Sequence, residues 1–379
     1  MRSGLGLAQE RAKTAALGLV PGWLDRPTFG QLQSLWGGLS GGAVCTPFQS
    51  PEFVHAFLEK MVPVNCERAA VFTLYDEVTR EPVLLLPLVW YRKGPFRVVT
   101  TPDLGLADQN GPVFCERLLE HSGKVQDVLV STLMQSLTDC DVLKICKIHP
   151  KISGVANPLF EAPEAYHEGH SLFLDADALA QAAGQSKKSV YKEARTKFRK
   201  LEREGVALVE ATTSRERERI CAILLEQRRK RLEELGDHDP QDEANRDSFY
   251  QYLSGLSGED GPVTTLALQK GEEIVAAVVL LANGTSANGV LVSIGDPKWH
   301  RMSPGMVLFV KSIEWAREHN IQNFSLGAGL HSYKNRFGAS MLETKRILIP
   351  TNMRGRTFVM ALHAKKISQA LYEKTVSED

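Results

Sequence analysis

Residues 297–308 read PKWHRMSPGMVL and connect a predicted strand, Gly289–Ile294, to the start of a predicted amphipathic helix. Pro304 falls in the first helical turn, where its missing N–H group costs nothing. Ser303 is expected to cap this helix, and Gly305 would let a ligand approach the backbone closely. Free N–H groups and the positive end of the helix dipole predict an anion site that suits a pyrophosphate. The same residues also fit an ordinary helix start without a ligand.

The pattern on both sides of this segment predicts an α+β half with a mostly antiparallel sheet, because the hydrophobic period changes from 3.6 to 2 after three helices. The helices are expected at Lys187–Glu204, Ser214–Leu235 and Asp247–Leu256. Strands are expected at Val263–Gln269, Ile274–Leu281 and Gly289–Ile294, followed by helix Pro304–His319, strand Asn323–Leu326, short helix Ser332–Phe337, strand Leu342–Ile349 and helix Arg356–Tyr372.

The first half also reads as a mixed α/β unit. Helices are predicted at Thr28–Leu39, Pro51–Met61 and Val125–Leu137, and strands at Ala69–Tyr75, Pro82–Tyr91, Arg97–Thr101 and Val142–Ile148. The Gly, Asp and Asn content of Asp103–Pro112 predicts a loop. Both halves therefore contain a pair of strands followed by a helix and a strand, although no sequence repeat is visible.

Composition limits the function classes. A chain of 379 residues suits two domains, and its 45 basic and 45 acidic side chains give no overall field for a polyanion. The six cysteines form no CxxC pair, which favours a reducing, cytoplasmic compartment. His167 and His170 lack partners at ligand spacing, so no metal site is expected. No apolar run is long enough for a transmembrane helix.

The quoted segment resembles the coenzyme A loop of GNAT acetyltransferases, in which a proline and an aromatic residue precede Q/R-x-x-G-x-G/A. His300 falls at the Q/R position, Ser303 at the first glycine and Gly305 at the second. The segment YKNRFG at 333–338 is similar to a second GNAT segment, in which a tyrosine precedes a short helix end. The resemblance implies that acetyl-coenzyme A or another acyl-coenzyme A is bound by His300, Arg301, Met302, Ser303, Pro304 and Gly305.

Four further segments resemble the CelD/BcsL-type acetyltransferases, which are linked to cellulose and exopolysaccharide biosynthesis and related to Fem-type aminoacyl transferases. They are TPFQSPEF at 46–53, LPL at 86–88, DQNGP at 108–112 and SLGAG at 325–329. The resemblance implies two tandem GNAT-like domains, each a mixed, mostly antiparallel sheet flanked by helices. Residues 1–170 would form a degenerate N-terminal domain and residues 171–379 the catalytic domain. The implied enzyme is an N-acetyltransferase acting on a small-molecule, sugar or lipid-linked acceptor.

Acyl transfer needs a base for the acceptor proton and an acid for the leaving thiol. Tyr333 is the candidate acid, although it would equally well pack on the sheet. His331 is a candidate base or a structural histidine, and Asp296 either deprotonates the acceptor or caps a turn. Lys334 would bind a phosphate or an acceptor carboxylate. The sequence shows no Ser-His-Asp or Cys-His arrangement for a covalent acyl-enzyme, which favours direct transfer in a ternary complex.

Two basic segments leave other functions open. Lys187–Arg203 carries eight basic and two acidic residues, which indicates a solvated helix face or a wall that steers an anion such as tRNA. Gln227–Glu234 is interpreted as a second solvated face, with lining of the acceptor site as the alternative. A donor of the aminoacyl-tRNA type, and a non-catalytic scaffold in polysaccharide assembly, are the two alternatives to acyl-coenzyme A chemistry.

Overall fold

One twisted sheet runs through the whole molecule. The computed structural model describes residues 17–182, 189–235, 243–258, 260–326, 332–362 and 364. Within them the main sheet has thirteen strands: β1 Leu19–Asp25, β2 Arg68–Asp76, β3 Pro82–Lys93, β4 Phe96–Thr100, β5 Val113–Phe114, β6 Val142–Ile148, β9 Tyr166–Asp175, β10 Ala207–Glu210, β11 Val263–Lys270, β12 Glu273–Ala282, β13 Ser286–Ile294, β14 Asn323–Ser325 and β15 Ser340–Pro350. A separate small hairpin comprises β7 Lys151–Ile152 and β8 Val155–Ala156.

Helices cover both faces of this sheet. They are α1 Phe29–Gly37, α2 Pro51–Lys60, α3 Val62–Asn65, α4 Ser122–Ser136, α5 Ala176–Ala182, α6 Ser189–Arg203, α7 Ser214–Leu235, α8 Glu243–Leu256, α9 Pro304–Glu318 and α10 at 353–362. In the second half, α5, α6 and α9 share one apolar core with one face of the sheet, and α7 and α8 share another core with the opposite face. Short 3₁₀ turns lie at Pro47–Gln49, Glu116–His121, Pro297–Met302 and Ser332–Phe337.

The same topological unit occurs in both halves. In the first half, the antiparallel strands β2, β3 and β4 are followed by α4, which returns the chain to β6, parallel to β4. In the second half, β11, β12 and β13 are followed by α9, which returns the chain to β14, parallel to β13. This arrangement confirms the expected α+β class with a large, mostly antiparallel sheet flanked by helices.

Strand β15 joins the two halves. The strand order is β1-β2-β3-β4-β6-β15-β9-β14-β13-β12-β11-β10, so β15 pairs with β6 on one side and with β9 on the other. A strand from near the C-terminus thereby fills the gap between the two meanders and removes an edge from each. The expected domain boundary at 170/171 falls inside β9.

An aromatic cluster also joins the halves. Phe249 of α8 packs its ring against Phe53 of α2, with centroids 5.2 Å apart, and against Phe57 at 6.4 Å. Ser50 sets the direction of α2 because its side chain accepts a hydrogen bond from the Phe53 N–H, and Pro51 occupies the first helical position. The first-half helix therefore contributes to the core under the second-half sheet.

The strands that the sequence pattern did not predict include the two at opposite edges of the sheet. β1 contains Pro21 and Gly22, which obscure its alternation but are tolerated in an edge strand that pairs only with β2. β10 has four residues and pairs only with β11, so it is too short for a periodic signal. Within the described residues, no helix has the length and apolarity needed to cross a membrane.

Substitution of Phe249 tests the shared core. Because Phe249 is fully buried against residues from the first half, Phe249→Ala should lower the free energy of unfolding by about 3–5 kcal/mol. Urea unfolding followed by circular dichroism measures the change. Val78→Ala, at a position that is 90% exposed, is the control and should change stability by less than about 0.5 kcal/mol. Equal stability of the two variants would contradict a shared core.

Candidate active site

Strands β13 and β14 separate shortly after they meet. Their parallel pairing covers only Ser286–Asn288 and Asn323–Ser325. Beyond Asn288, β13 keeps β12 as its neighbour on one side, while its other edge has no strand partner among the described residues. Val292 and Ile294 on this open stretch are 46% and 41% exposed. The backbone N–H groups of the open edge are consequently available to a ligand between the strands.

An irregularity in β13 lies at the same point. Leu280 of β12 pairs with Gly289 and Val279 pairs with Leu291, so Val290 has no partner opposite it in β12. An extra residue of this kind is a β-bulge, which bends a strand and increases its twist. The bulge directly follows the last residue that pairs with β14, and it gives a local reason for the divergence of the two strands.

A cavity of about 670 Å³ occupies the gap. Its lining comes from both helical layers, since α7 belongs to one face of the sheet and α6 and α9 to the other. The lining residues are Glu193, Gln227, Arg228, Arg231, Leu232, Val292, Ser293, Ile294, His300, Ser303, Pro304, Gly305, Met306, Phe309, Arg336 and Phe337. The cavity therefore passes through the split in the sheet.

The predicted anion site lies at one end of this cavity, although Ser303 does not cap the helix as expected. Ser303 adopts a left-handed conformation with φ 46° and ψ 55°, and its side chain makes no capping hydrogen bond. Its hydroxyl oxygen instead accepts a hydrogen bond of 2.7 Å from Nζ of Lys197 in α6. The Ser303 side chain thus leaves the first amides of α9 uncovered, and a cation stands next to them, which favours an anion.

Gly305 packs closely under the end of β13. A Cβ atom placed there would lie 2.9 Å from Cδ1 of Ile294, closer than side chains normally approach. A side chain at this position would therefore have to move Ile294, which is 41% exposed and itself lines the cavity. Any larger side chain would displace Ile294 or enter the space in front of the helix.

The loop before α9 is built as a 3₁₀ turn over Pro297–Met302. Trp299 is buried and donates its indole N–H to Glu273 at 2.8 Å, which fixes the turn against β12. His300 faces the cavity, Met302 packs on the core, and Arg301 is exposed outside the lining. Four of the six residues predicted to bind the acyl donor therefore line one cavity: His300, Ser303, Pro304 and Gly305.

Most charged groups around the cavity are basic. Among the described residues, Arg228, Arg231 and Arg336 line it together with a single acidic residue, Glu193. Glu193 is itself paired, with Arg336 at 3.2 Å and with Lys197 at 3.4 Å. The surplus of positive charge in a partly enclosed space attracts an anionic ligand. The remainder of the cavity is apolar, and the rings of Phe309 and Phe337 pack there with centroids 4.7 Å apart.

The interpretation of Gln227–Glu234 as a solvated face was wrong for part of its length. Arg228 is partly buried and lines the cavity, and Arg231 touches its rim although it is exposed and pairs with Glu234. Arg229 and Lys230 are exposed and pair with Glu226. A helix that lies on a sheet has one inward face, and sequence alone did not show that a charged residue borders it here.

The predicted catalytic residues have different positions. Asp296 is exposed and accepts a hydrogen bond from the Lys298 N–H at 2.8 Å, so it caps the turn and lies outside the cavity lining. His331 lies outside the described residues. Tyr333 belongs to the 3₁₀ turn Ser332–Phe337, which borders the cavity through Arg336 and Phe337. The role of each residue in catalysis stays a prediction.

Lys334 is only 2% exposed and lies near a carboxylate that sequence analysis did not select. Burial lowers the pKa of Lys334, and the negative charge of Asp108 partly opposes this shift. Burial in turn raises the pKa of Asp108. Asp108 is the first residue of DQNGP at 108–112, one of the segments that carry the resemblance to CelD/BcsL-type acetyltransferases, so a signal was present. Nothing in the sequence indicated that this first-half loop approaches a residue of the second half.

A family comparison identifies the second half. Residues 188–335 match the family model Acetyltransf_6, described as an acetyltransferase (GNAT) domain. These residues form a GNAT-type acetyltransferase domain. The matched range includes α6, α7, the open edge of β13 and the start of α9, which are the elements that build the cavity. No curated protein matches the sequence.

Two solved structures with low sequence identity share the fold over most of the chain. FemX is similar with a TM-score of 0.55 and 10% identity, over 86% of this chain and 96% of that chain. A conserved protein of unknown function from Bacteroides thetaiotaomicron VPI-5482 has a TM-score of 0.51 and 10% identity, over 86% and 99%. A tandem GNAT protein from the clavulanic acid biosynthesis pathway has a TM-score of 0.46 and 12% identity, over 88% and 99%.

The left-handed conformation of Ser303 gives a test that needs no ligand. Ser303→Gly and Ser303→Ala both remove the hydroxyl, but only alanine keeps a Cβ at positive φ. The glycine variant should therefore be more stable than the alanine variant by about 1 kcal/mol. At Ser34 in α1 the order should reverse by a similar amount, because glycine is unfavourable inside a helix. Thermal melts of the four variants measure both differences, and the same order at both positions would contradict the conformation.

Proposed function

We propose that the protein transfers an acyl group from acyl-coenzyme A to an amine or a sugar hydroxyl by direct reaction in a ternary complex. The supporting observation is that one cavity connects an uncapped helix start beside Lys197 to the open edge of β13. The CelD/BcsL resemblance suggests polysaccharide biosynthesis as the setting, and the GNAT domain match suggests acetyl-coenzyme A as the donor.

The donor has two chemically different parts, and the cavity offers a matching surface for each. Its pyrophosphate would accept hydrogen bonds from the amides of Gly305 and Met306, with Lys197 and His300 close by. Its extended arm would lie along the apolar lining between Ile294 and Phe309, toward the point where β13 and β14 separate. The thioester would then sit in the split between the strands.

The open edge of β13 supplies the electrostatic part of the reaction. Its outward N–H groups are fixed dipoles that can donate to the thioester oxygen as negative charge develops there. The acceptor loses a proton and attacks the thioester carbon, the carbon–sulfur bond breaks, and the departing thiolate takes up a proton. Tyr333 is proposed as the donor of that last proton, since a phenol is a suitable acid for a thiolate.

Substitution of Gly305 tests the position of the donor. The wild-type protein should bind acetyl-coenzyme A in isothermal titration calorimetry. Gly305→Val should weaken that binding about 100-fold, equal to about 2.7 kcal/mol, because the branched side chain projects where the phosphates approach the helix start. Lack of binding by the wild-type protein at millimolar donor would contradict the proposed function.

A double variant separates the ligand effect from packing. The introduced valine would also press on Ile294, so Gly305→Val is combined with Ile294→Ala, which removes the atoms at 2.9 and 3.1 Å. Because Ile294 also lines the path of the donor's arm, the double variant is compared with Ile294→Ala alone, and it should bind more weakly than that variant if the valine blocks the phosphates. Equal affinity of these two variants would show that the single substitution Gly305→Val acted through packing and that the phosphates bind elsewhere. Melting temperatures of all these proteins control for folding.

Aminoacyl-tRNA is the second candidate donor. The observation that favours it is the exposed basic surface of α6, formed by Lys192, Arg199, Lys200 and Arg203, next to Lys197 at the cavity. The resemblance to Fem-type aminoacyl transferases points the same way. The two donors differ in how strongly salt should weaken their binding, because a polyanion releases many counterions.

Filter binding of unacylated bulk tRNA at several salt concentrations distinguishes the donors. If aminoacyl-tRNA is the acyl donor, the double variant Arg199→Glu/Lys200→Glu should retain no tRNA on the filter. The affinity of the wild-type protein for tRNA should fall steeply as the salt concentration rises. Lys151→Glu, an exposed charge in the small hairpin of the first half, is the matched control and should bind like the wild type. No retention, or a flat salt dependence, excludes this candidate.

A further inference from the structure

The loop at 103–112 of the first half reaches the point where β13 and β14 separate. Gln109 donates a hydrogen bond of 2.8 Å from its side-chain amide to Oδ1 of Asn288, the last residue of β13 that pairs with β14. Both partners are buried, at 5% and 0% exposure. The carbonyl of Gln109 also accepts from Gln49 at 3.0 Å. Asp108 is therefore held one residue away from the apex of the split.

A strained residue in β6 anchors the same loop. Lys147 has φ 54°, a left-handed conformation that costs free energy in a non-glycine residue and often marks a functional site. Its Nζ lies 3.0 Å from Oδ1 of Asp103 and donates to the carbonyl of Ala107 at 2.5 Å. Leu104, in the loop itself, is also left-handed with φ 40°. The loop backbone is thus fixed on both sides of Asp108.

Two further contacts complete the support. The side-chain amide of Asn110 donates to Oδ2 of Asp103 at 2.9 Å, and its backbone N–H donates to the carbonyl of Lys147 at 3.0 Å. Leu106 and Ala107 are buried in the core that both halves share. Such a rigid support, made from separate strands and helices, is typical of positions that hold a reacting group.

Within the described part of the chain, the charged groups that face Asp108 are mostly cationic. Lys147, Lys334 and Arg246 act on it from β6, from the turn after β14 and from α8, and Asp103 adds a second negative charge that is paired with Lys147. The buried ring of His149 contacts the Asp108 backbone, and burial lowers the pKa of His149 to about 4, so it adds no charge at neutral pH. Asp108 is partly exposed, and it lies outside the set of residues that line the cavity of about 670 Å³.

We propose that Asp108 is the general base of the acyl transfer, so that the first half supplies a catalytic residue to the second-half site. This proposal rests on the proposed function. It follows from the position of Asp108 beside the apex of the β13–β14 split, from the strained and hydrogen-bonded loop that holds it, and from the neighbouring Lys334. The acceptor would enter from the side of the sheet on which α7 and α8 pack.

The proton balance of the step is complete without another reactant. The Asp108 carboxylate takes a proton from the acceptor ammonium or hydroxyl, and the freed lone pair forms the new bond to the acyl carbon. The carbon–sulfur bond breaks and the electron pair leaves with sulfur. The thiolate takes up one proton, which comes from the nitrogen of the adduct when the acceptor is an amine and from the proposed acid Tyr333, later reprotonated by solvent, when it is a hydroxyl. The products are the acylated acceptor and free coenzyme A, and the proton on Asp108 returns to solvent.

Burial of the carboxylate agrees with this role. A base transfers protons most efficiently when its pKa lies close to the working pH, and burial raises the pKa of Asp108 toward that range. The rate should therefore rise with pH as the carboxyl group of Asp108 ionises. Asp103, Lys147, Lys334 and Arg246 are the charged neighbours that determine where this limb of the pH profile lies.

Thiol release from acetyl-coenzyme A, compared between nucleophiles, tests the proposal. Water and glucosamine must lose a proton to a base, whereas hydroxylamine attacks as a neutral amine and needs little help. Asp108→Asn should lower release with water and glucosamine by about 100-fold or more and change release with hydroxylamine by less than about fivefold. It should also remove the acidic limb of the wild-type pH profile. Asp139→Asn, an aspartate whose side chain is 82% exposed, is the matched control and should behave like the wild type.

Each outcome separates this proposal from the function on which it rests. If the wild-type protein fails to bind acetyl-coenzyme A, both are overturned. If donor binding is intact but Asp108→Asn releases thiol like the wild type, or if the wild type releases none with any nucleophile, the base assignment alone is overturned. Asp108→Glu keeps a carboxylate and should retain more activity than Asp108→Asn. Equal loss in both variants together with lower melting temperatures would show a structural role and also overturn it.

Discussion

Strands β13 and β14 run side by side for only three residue pairs. The gap that follows holds the cavity, and the other residues of the candidate site are arranged around it. In the interior of a sheet, backbone N–H and C=O groups normally satisfy one another. Here the bulge at Val290 turns β13 away, and its edge faces a cavity instead of a strand. The open edge is a set of fixed dipoles that only a ligand or water can satisfy, which makes the gap suitable for a polarised carbonyl group.

The first half of the chain is bound to this gap in three independent ways. β15 lies between β6 and β9, α2 packs against α8, and the hydrogen bond from Gln109 to Asn288 lies at the apex of the split. Each contact buries surface from both halves, so the position of the 103–112 loop relative to β13 is set by the sheet and its core. The resemblance implies a degenerate first half, but this half contacts the elements that surround the gap.

Although the chain carries no net charge, basic side chains are concentrated around the cavity. The 45 basic and 45 acidic side chains cancel overall, yet Lys197, Arg228, Arg231 and Arg336 surround the cavity, with Glu193 as the one acidic lining residue in the described part of the chain. Arg228 is partly buried where α7 borders the cavity, whereas Arg231 reaches the cavity rim from an exposed position and pairs with Glu234. The balanced net charge therefore argued only against attraction of a polyanion by the protein surface as a whole. It gave no information about the charge around this cavity.

The sequence by itself determined the order of elements in the second half and the helix start at Pro304 that borders the cavity, because hydrophobic period, proline at a helix start and glycine at a close contact are local signals. That an anion binds there stays a prediction. The sequence also pointed to the loop with Asp108, through resemblance. Only the tertiary structure showed that Ser303 is left-handed and bonded to Lys197, that Asp296 caps a turn outside the cavity, and that Asp108 approaches Lys334 across the two halves. These facts depend on contacts between residues far apart in the chain, and no local pattern encodes which distant side chain will lie opposite another.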